Sequence, residues 1–372
     1  MHEAVVALLL APQLGLLLEP QHGILRPACC ARAVSPRCDA AAEFLVSRCG
    51  CSAEDAARAE RKMLPELVRR FPYARAVETC DALQSRLGLE DSALRQMLVR
   101  HPALLGYTYA TNIEPAIELL QSRLGLSTAE VSRVLVRQPA ALGYNVEPNL
   151  AALQYRLKLD DAQLTQVVMR VPASLGLGFD DNVAPKLADL QKLLGLSDDE
   201  LRRVVVARPS FLGLDFESNV QPTLAALQSR LSLSTSAELG RLVVRMPPLL
   251  GMSYERNLAP TISSLQARLG LSEAELTRLV TKLPAVLGYS FERNVLPKLD
   301  YLQATLGLTD DELRLRVCSL PALLGYSVDK RYRPRIERCQ RAGVPLLRVL
   351  DRIALTDERF NASVPLPLAS AT

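Results

Sequence analysis

The stretch "NVAPKLADLQKLLGLSDDELRRVVVARP", Asn182 to Pro209, decides the fold. Leu187, Leu190 and Leu194 recur at i, i+3 and i+7, the spacing of one helical face. Asn182 stands where an N-cap would, and Pro185 falls in the first turn, where no intrahelical N–H is required. Gly195 follows as a residue able to take a left-handed C-cap. Ser197 and Glu200 then form the pattern of a capping box for a second helix. That helix turns Leu201, Val204 and Val205 inward and is stopped by Pro209.

The unit recurs. Its closing proline returns at Pro72, Pro102, Pro139, Pro172, Pro209, Pro247, Pro284 and Pro321, spaced by 30, 37, 33, 37, 38, 37 and 37 residues. A second marker runs in step: "LQSRLGL" at Leu83 and Leu120, "LQYRLKL" at Leu153, "LQKLLGL" at Leu190, "LQSRLSL" at Leu227, "LQARLGL" at Leu265 and "LQATLGL" at Leu302. Capping boxes repeat at Ser127/Glu130, Ser272/Glu275 and Thr309/Glu312, and at Thr235/Glu238 in the one interval that is a residue longer. Lys158 and Ser232 replace the glycine cap, at about 1 kcal/mol or more each, so those two joints are expected to be less regular. Each proline should start a short segment that cannot extend the helix and makes one tight turn. A two-helix unit cannot bury its apolar face alone, so the units must stack. The fold class is therefore an all-α curved solenoid of either hand, with strand signals nearly absent.

Composition bounds the rest. The chain has 372 residues, 49% apolar and 23% charged, ample for an extended stacked core. Its 44 basic against 40 acidic residues leave a net charge of +4, which alone does not suggest a polyanion partner. No unbroken apolar run reaches the roughly 18 residues that a membrane span needs. Residues 1–40 differ in kind. "AVVALLLAPQLGLLL" is followed by an acid-free stretch with Arg26, Arg32 and Arg37. An organelle import signal is the preferred reading. A secretory signal is the rival for the apolar part, and the two together would make a bipartite plastid leader. Five of the eight cysteines (Cys29, Cys30, Cys38, Cys49, Cys51) crowd this end without a CxxC pair, so neither a disulfide framework nor a zinc site is expected. The repeat domain is expected over residues 41–350, with a loose tail over 351–372.

Enzyme signals are poor. His2, His22 and His101 are the only histidines, and no phosphate-binding glycine loop or nucleophile elbow is present. The pairs Asp198/Asp199 and Asp310/Asp311 sit at helix starts, where the helix dipole explains them. No cofactor, metal or catalytic residue is expected. The basic residues are more informative. One column stands beside the repeat proline: Arg70, Arg100, Arg137, Arg170, Arg245 and Lys282, with Arg208 one residue off register. A second lies in the marker: Arg86, Arg123, Arg156, Arg230 and Arg268. A third group, "DKRYRPRIERCQR", holds Lys330, Arg331, Arg333, Arg335, Arg338 and Arg341 around Tyr332. Stacking turns columns into stripes, with acids at the start of each second helix and bases about 15 Å away at its end. Dipole capping alone accounts for part of this. The three groups together point to a polyanion. The recurrent Tyr107, Tyr144, Tyr289 and Tyr326, with Phe179, Phe216, Tyr254 and Phe291, are expected to pack between repeats.

Taken whole, "PAVLGYSFERNVLPKLDYLQATLGLTDDELRLRV" at Pro284 resembles the motif of the mTERF family, the mitochondrial transcription termination factors and their plastid relatives. The shared elements are the Pro-x-x-Leu-Gly turn, the Asn-x-x-Pro-x-Leu helix entry, the Leu-Gly-Leu-Ser joint and the Leu-x-x-Val-Val helix. "FLVSRCGCSAEDA" at Phe44 and "LLGYSVDKRYRPRIE" at Leu323 resemble its beginning and end. The resemblance implies a half-ring of repeats, each with two α-helices and a short 3₁₀ turn. It implies binding of organellar double-stranded DNA, or RNA, along a basic concave face, with roles in termination, transcription, intron splicing or ribosome assembly. A monomer that engages no membrane is expected, with transcription or ribosome-assembly proteins as further partners. Leu193 and Thr305 depart from the marker arginine, and Ser319 from the base before Pro321. The rival reading is a protein-interaction solenoid whose arginines only cap helices. A nucleic-acid hydrolase lacks a metal-ligand constellation.

Overall fold

The structure, a computed structural model, describes residues 40–364. The proposed leader over residues 1–40 lies almost wholly outside the described residues, as does the end of the tail. Among the described residues there is no strand. An N-terminal cap of three short helices, Ala40–Ser47, Ala53–Glu60 and Pro65–Arg69, precedes seven helix pairs. These are Tyr73–Leu87 with Asp91–Arg100, Glu114–Leu124 with Thr128–Arg137, Glu147–Leu157 with Asp161–Arg170, and Ala184–Leu194 with Asp198–Ala207. Then come Gln221–Arg230 with Ser236–Arg245, Ala259–Leu269 with Glu273–Lys282, and Leu296–Leu306 with Asp310–Ser319. After each second helix the proline opens a five-residue 3₁₀ turn, such as Pro209–Gly213. Pro72 differs: it precedes the long helix Tyr73–Leu87 directly and starts no 3₁₀ turn.

Three layers result. Second helices lie beside second helices, 3₁₀ turns stack on 3₁₀ turns, and most first helices reach across to the second helix of the following pair. Leu187, Leu190, Leu194, Leu201, Val204, Val205, Phe211 and Leu212 are completely buried in one repeat. Each such side chain is worth about 1.5–3 kcal/mol, and a lone hairpin would leave one side of them wet.

The capping boxes form at Ser127/Glu130, Ser197/Glu200, Thr235/Glu238, Ser272/Glu275 and Thr309/Glu312. A further one, Asp160/Gln163, was not anticipated, because Gln replaces Glu and Asp replaces Ser. The helix entries differ from expectation. Asn182 is not an N-cap. Five of the seven first helices open with a π turn, Phe179–Val183 in that repeat, and Asn182 lies inside it. Pro185 has no N–H to give to the carbonyl four residues back, which frees the turn to widen. The matching Asn112 and Asn257 fold back instead, each accepting at 3.0 Å from the backbone N–H four residues earlier, of Thr108 and Ser253.

The two joints without glycine do adopt left-handed backbone, Lys158 at φ 50° and Ser232 at φ 48°. At Lys158 the joint is as regular as the others: Leu159 N–H reaches Gln154 O at 3.0 Å, as Leu196 N–H reaches Gln191 O at 3.1 Å. At Ser232 the helix ends one residue early, at Arg230. The tail expected from residue 351 is partly packed structure. Leu346–Ile353 spans that boundary, and Asp357–Ser363 follows with Phe360 and Val364 buried.

Gly240 lies mid-helix, where a Cβ would run into the carbonyl oxygen of Leu194 in the preceding repeat. Gly240→Ala is therefore expected to lower the urea midpoint, although alanine is the better helix former by about 1 kcal/mol. Ser232→Gly should raise stability by about 1 kcal/mol by relieving the left-handed backbone. A higher midpoint for Gly240→Ala would show that no close approach exists there.

Candidate nucleic-acid interface

The marker column faces protein, not solvent. Arg86 Nη2 donates to Gln121 Oε1 of the next repeat at 2.6 Å, and Arg156 Nη2 to Gln191 at 2.6 Å. Arg268 reaches Gln303 at 2.5 Å, while Arg123 and Arg230 bond Gln154 and Gln266 in the same way. Each receiving glutamine turns its amide N–H to the first residue of its own second helix: Gln154 to Asp161 at 2.9 Å, Gln191 to Asp198 at 3.0 Å, Gln266 to Glu273 at 2.9 Å and Gln303 to Asp310 at 2.8 Å. The arginine also pairs with that acid: Arg123–Asp161 at 3.5 Å, Arg156–Asp198 at 3.4 Å, Arg230–Glu273 at 2.5 Å and Arg268–Asp310 at 3.4 Å. Arg123 adds Glu147 at 3.1 Å and Arg268 adds Asp300 at 2.9 Å. The amide N–H of Gln191 and the nearby cations hold Asp198 below the usual carboxylate range, and Gln266 with Arg230 does the same for Glu273. Arg123, Arg156, Arg230 and Arg268 are thus engaged in an inter-repeat stitch. Each is bonded within the fold and keeps only 21–30% of its side chain exposed.

The column beside the proline divides. Arg100 Nη1 donates to Arg137 O at 3.1 Å and Val136 O at 3.3 Å. Arg170 donates to Val206 O and Ala207 O at 3.3 and 3.4 Å, and Arg245 to Thr281 O and Lys282 O at 2.6 and 2.7 Å. These side chains satisfy the open C-terminal carbonyls of the next second helix, as the helix dipole favours, yet all three remain exposed. Arg137 and Lys282 are exposed with no protein partner among the described residues. Arg208 is half-buried and lies over Gly251, where a Cβ would come within 2.6 Å of its Nη2.

The C-terminal cluster turns largely inward. Arg331 donates to Ile353 O at 3.0 Å and Leu355 O at 2.6 Å and lies over the Tyr326 ring at 4.3 Å. Arg335, 5% exposed, takes the same two carbonyls at 2.8 and 2.6 Å, pairs with Asp357 and covers the Phe360 ring. Arg338 donates to Asn361 Oδ1 at 2.6 Å. These three arginines hold the terminal helices in place. Lys330 and Arg333 stay exposed, Arg333 beside Asp329 at 3.4 Å and near the Tyr301 ring. The recurrent aromatics pack at the joints: Phe216 and Phe291 are buried, and Tyr107 lies across Gly143 of the next repeat.

One row escaped the sequence reading. Arg133, Arg203, Arg241 and Arg278 stand at the same place in four of five consecutive second helices, all exposed. Arg133, Arg241 and Arg278 sit four residues before Arg137, Arg245 and Lys282, hence on the same helical face. Between these repeats the row is continued by Gln166, four residues before Arg170. The last seven residues of every second helix contain no acid. A capping-box glutamate precedes each of these arginines by three residues: Glu130, 3.8 Å from Arg133, then Glu200, Glu238 and Glu275. The Ser197 and Ser272 caps, helped by the cations Arg203 and Arg278, hold Glu200 and Glu275 below the usual carboxylate range. Neither row stands beside the leucine markers used to align the repeats, but an i−4 step from the proline column finds it.

Among the described residues no group of His, Cys, Asp or Glu is placed to hold a metal ion, and no helix is long and apolar enough to cross a membrane. A family model described as mTERF matches residues 43–202 and 155–361. No curated protein matches the sequence.

Arg230→Leu, which cuts a stitch, should cost on the order of 1 kcal/mol. Arg241→Leu, on the open row, should stay within about 0.5 kcal/mol of wild type by urea titration. Equal losses would remove the distinction between the two columns. Acid should act through the caps. The Ser127, Ser197, Ser272 and Thr309 hydroxyls and backbone N–H groups hold Glu130, Glu200, Glu275 and Glu312 below the usual carboxylate range. A carboxylate lowered on folding contributes stability above its unfolded pKa and loses it as pH falls through the folded one. The melting temperature should thus decline below about pH 5, and the decline should shrink in Glu200→Gln.

Proposed function

Because the chain belongs to the mTERF family, we propose that it is an organellar nucleic-acid-binding protein, without enzymatic activity, acting in mitochondrion or plastid gene expression such as transcription termination. Double-stranded DNA is the partner that the reading favours, with RNA as the other member of the same chemistry. The observation that carries the proposal is the acid-free stretch formed by the last seven residues of the second helices. It presents Arg133, Arg137, Arg203, Arg241, Arg278 and Lys282 to solvent. Arg100, Arg170 and Arg245 add charge at its edge while bonded to carbonyls.

The physical case is one of spacing. Neighbouring helices pack about 8–10 Å apart, so successive repeats bring cations to a phosphate backbone at regular intervals. A guanidinium suits phosphate because its N–H fork matches two oxygens. The face carries little to read base edges with, so its contribution is position and affinity rather than sequence choice. Curvature that turned this face inward would make it the concave surface implied by the family. Arg331, Arg335 and Arg338, bonded within the fold, do not belong to the proposed contact set, whereas Lys330 and Arg333 extend it at the C-terminal end.

Six contacts should give a slope of log affinity against log salt near −5 for duplex DNA. The triple variant Arg203→Ala/Arg241→Ala/Arg278→Ala should flatten that slope by about 3 and weaken all sequences alike. Arg230→Leu should leave it unchanged. A slope near zero in the wild type, or one that the triple variant does not alter, would favour the protein-interaction solenoid instead.

A further inference from the structure

At six junctions of the solenoid an arginine from one repeat is held by a glutamine of the next: Arg48 by Gln84, Arg86 by Gln121, Arg123 by Gln154, Arg156 by Gln191, Arg230 by Gln266 and Arg268 by Gln303. The junction between Leu193 and Gln228 lacks it, as does the one that follows Thr305. Leu193 replaces the arginine, and Ser236 replaces the acid that begins the second helix. Gln228 is half-buried and donates to Leu233 O at 3.3 Å, but no side chain donates to its Oε1 among the described residues. A cleft opens at the Leu193 junction, lined by Asp189, Lys192, Leu193, Phe216, Glu217, Gln221 and Ser236. Gln221 lies two turns before Gln228 along the same helix.

We propose that this cleft receives an arginine side chain from a basic segment of a partner protein. The molecule supplies its own template for the ligand: six times over, the matching place is filled by a guanidinium. The Arg86 junction shows that a carboxylate at the helix start is not required. There the second helix begins with Thr128, yet Arg86 still reaches Gln121 at 2.6 Å. Charge agrees with the choice, since Asp189 and Glu217 line the cleft against the single ammonium of Lys192. Phe216 and Leu193 offer apolar surface for the three-carbon stem, and the Gln221 amide oxygen with the carboxylates of Asp189 and Glu217 in the same lining accept from the planar fork. A lysine would fit less well, because one ammonium cannot present parallel donors to an amide oxygen and a neighbouring carboxylate. The site faces the first-helix layer and makes no use of the second-helix cations, so it stands whether or not the nucleic-acid proposal holds.

The test uses the full chain with methyl-labelled leucine and the blocked peptide acetyl-Gly-Arg-Gly-amide, followed by NMR. The expected result is a saturable shift of the Leu193 methyl resonances at millimolar peptide, with the lysine peptide several-fold weaker. Leu193→Arg fills the place from within and should reduce peptide binding at least tenfold, with an amide shift at Gln228 as its readout, while raising the melting temperature. Ser236→Asp restores the missing carboxylate and should tighten binding several-fold without touching Leu193. No saturable shift in either the wild type or Ser236→Asp overturns the proposal, as does arginine peptide binding that Leu193→Arg leaves intact or that lysine matches.

Discussion

The repeat depends on a backbone N–H that is missing. At Pro102, Pro139, Pro172, Pro209, Pro247, Pro284 and Pro321 the second helix cannot continue, and the chain tightens into a 3₁₀ turn that runs to the following glycine. That turn lodges its paired apolar residues in the core, Phe211 and Leu212 in one case, and stacks on the turn before it. Its glycine has ordinary backbone angles, so conformational freedom is not why it is there. At Gly143 and Gly251 the reason is space, since Tyr107 and the Arg208 guanidinium lie where a Cβ would be, whereas at Gly213 no atom comes within 4 Å of that position. A proline stop, a buried pair and a bare backbone together fix how one repeat meets the next.

Much of this was legible. Leucine spacing, capping boxes and proline stops are local, and each depends on residues within about four positions. The five boxes read as Ser or Thr with Glu formed as written, and Lys158 and Ser232 took the left-handed backbone that glycine takes elsewhere. What stayed hidden was the widened helix entry. Asn-x-x-Pro looks like a cap followed by a first turn. The π turn exists because the helix already runs before the proline, with Ser253 or Ser290 capping it four residues ahead of the asparagine. A cap and a residue inside a π turn share the same sequence spacing to proline, so periodicity cannot separate them. The tail failed for another reason. Leu346–Ile353 and Asp357–Ser363 belong to no repeat, and they are held by Arg331 and Arg335 through carbonyls about twenty residues away.

The arginines show the limit more sharply. Column position tells which side chains will be neighbours, but not whether a guanidinium will meet water or an acceptor. The stitch was nonetheless written in the chain. Arg156, Gln191 and Asp198 follow one another at intervals near one repeat and then two helical turns, and Arg268, Gln303 and Asp310 do the same. Reading arginine, glutamine and acid as one constellation across two repeats would have separated structural cations from open ones. It would also have isolated Leu193, where arginine and acid are lost together.

This division explains how a nearly neutral chain can still face a polyanion. Charges paired in the stitch cancel within a few ångströms and have almost no field beyond. Solvent salt screens what is left over about 8–10 Å. A ligand approaching the second helices therefore senses neither the net charge of +4 nor the 40 acids. It senses the nearest unpaired row, which holds Arg203 and Arg241 and no carboxylate in the last seven residues of either helix. The capping-box glutamates lie about one turn before this row, as Glu200 does before Arg203, and the column beside the proline lies a further turn on. The acids that begin these helices, Asp161, Asp198, Glu273 and Asp310, hold the stack together by taking up the marker arginines of the preceding repeat. Stability and surface field are thus set by different stretches of one helix, and substitutions can alter either without disturbing the other.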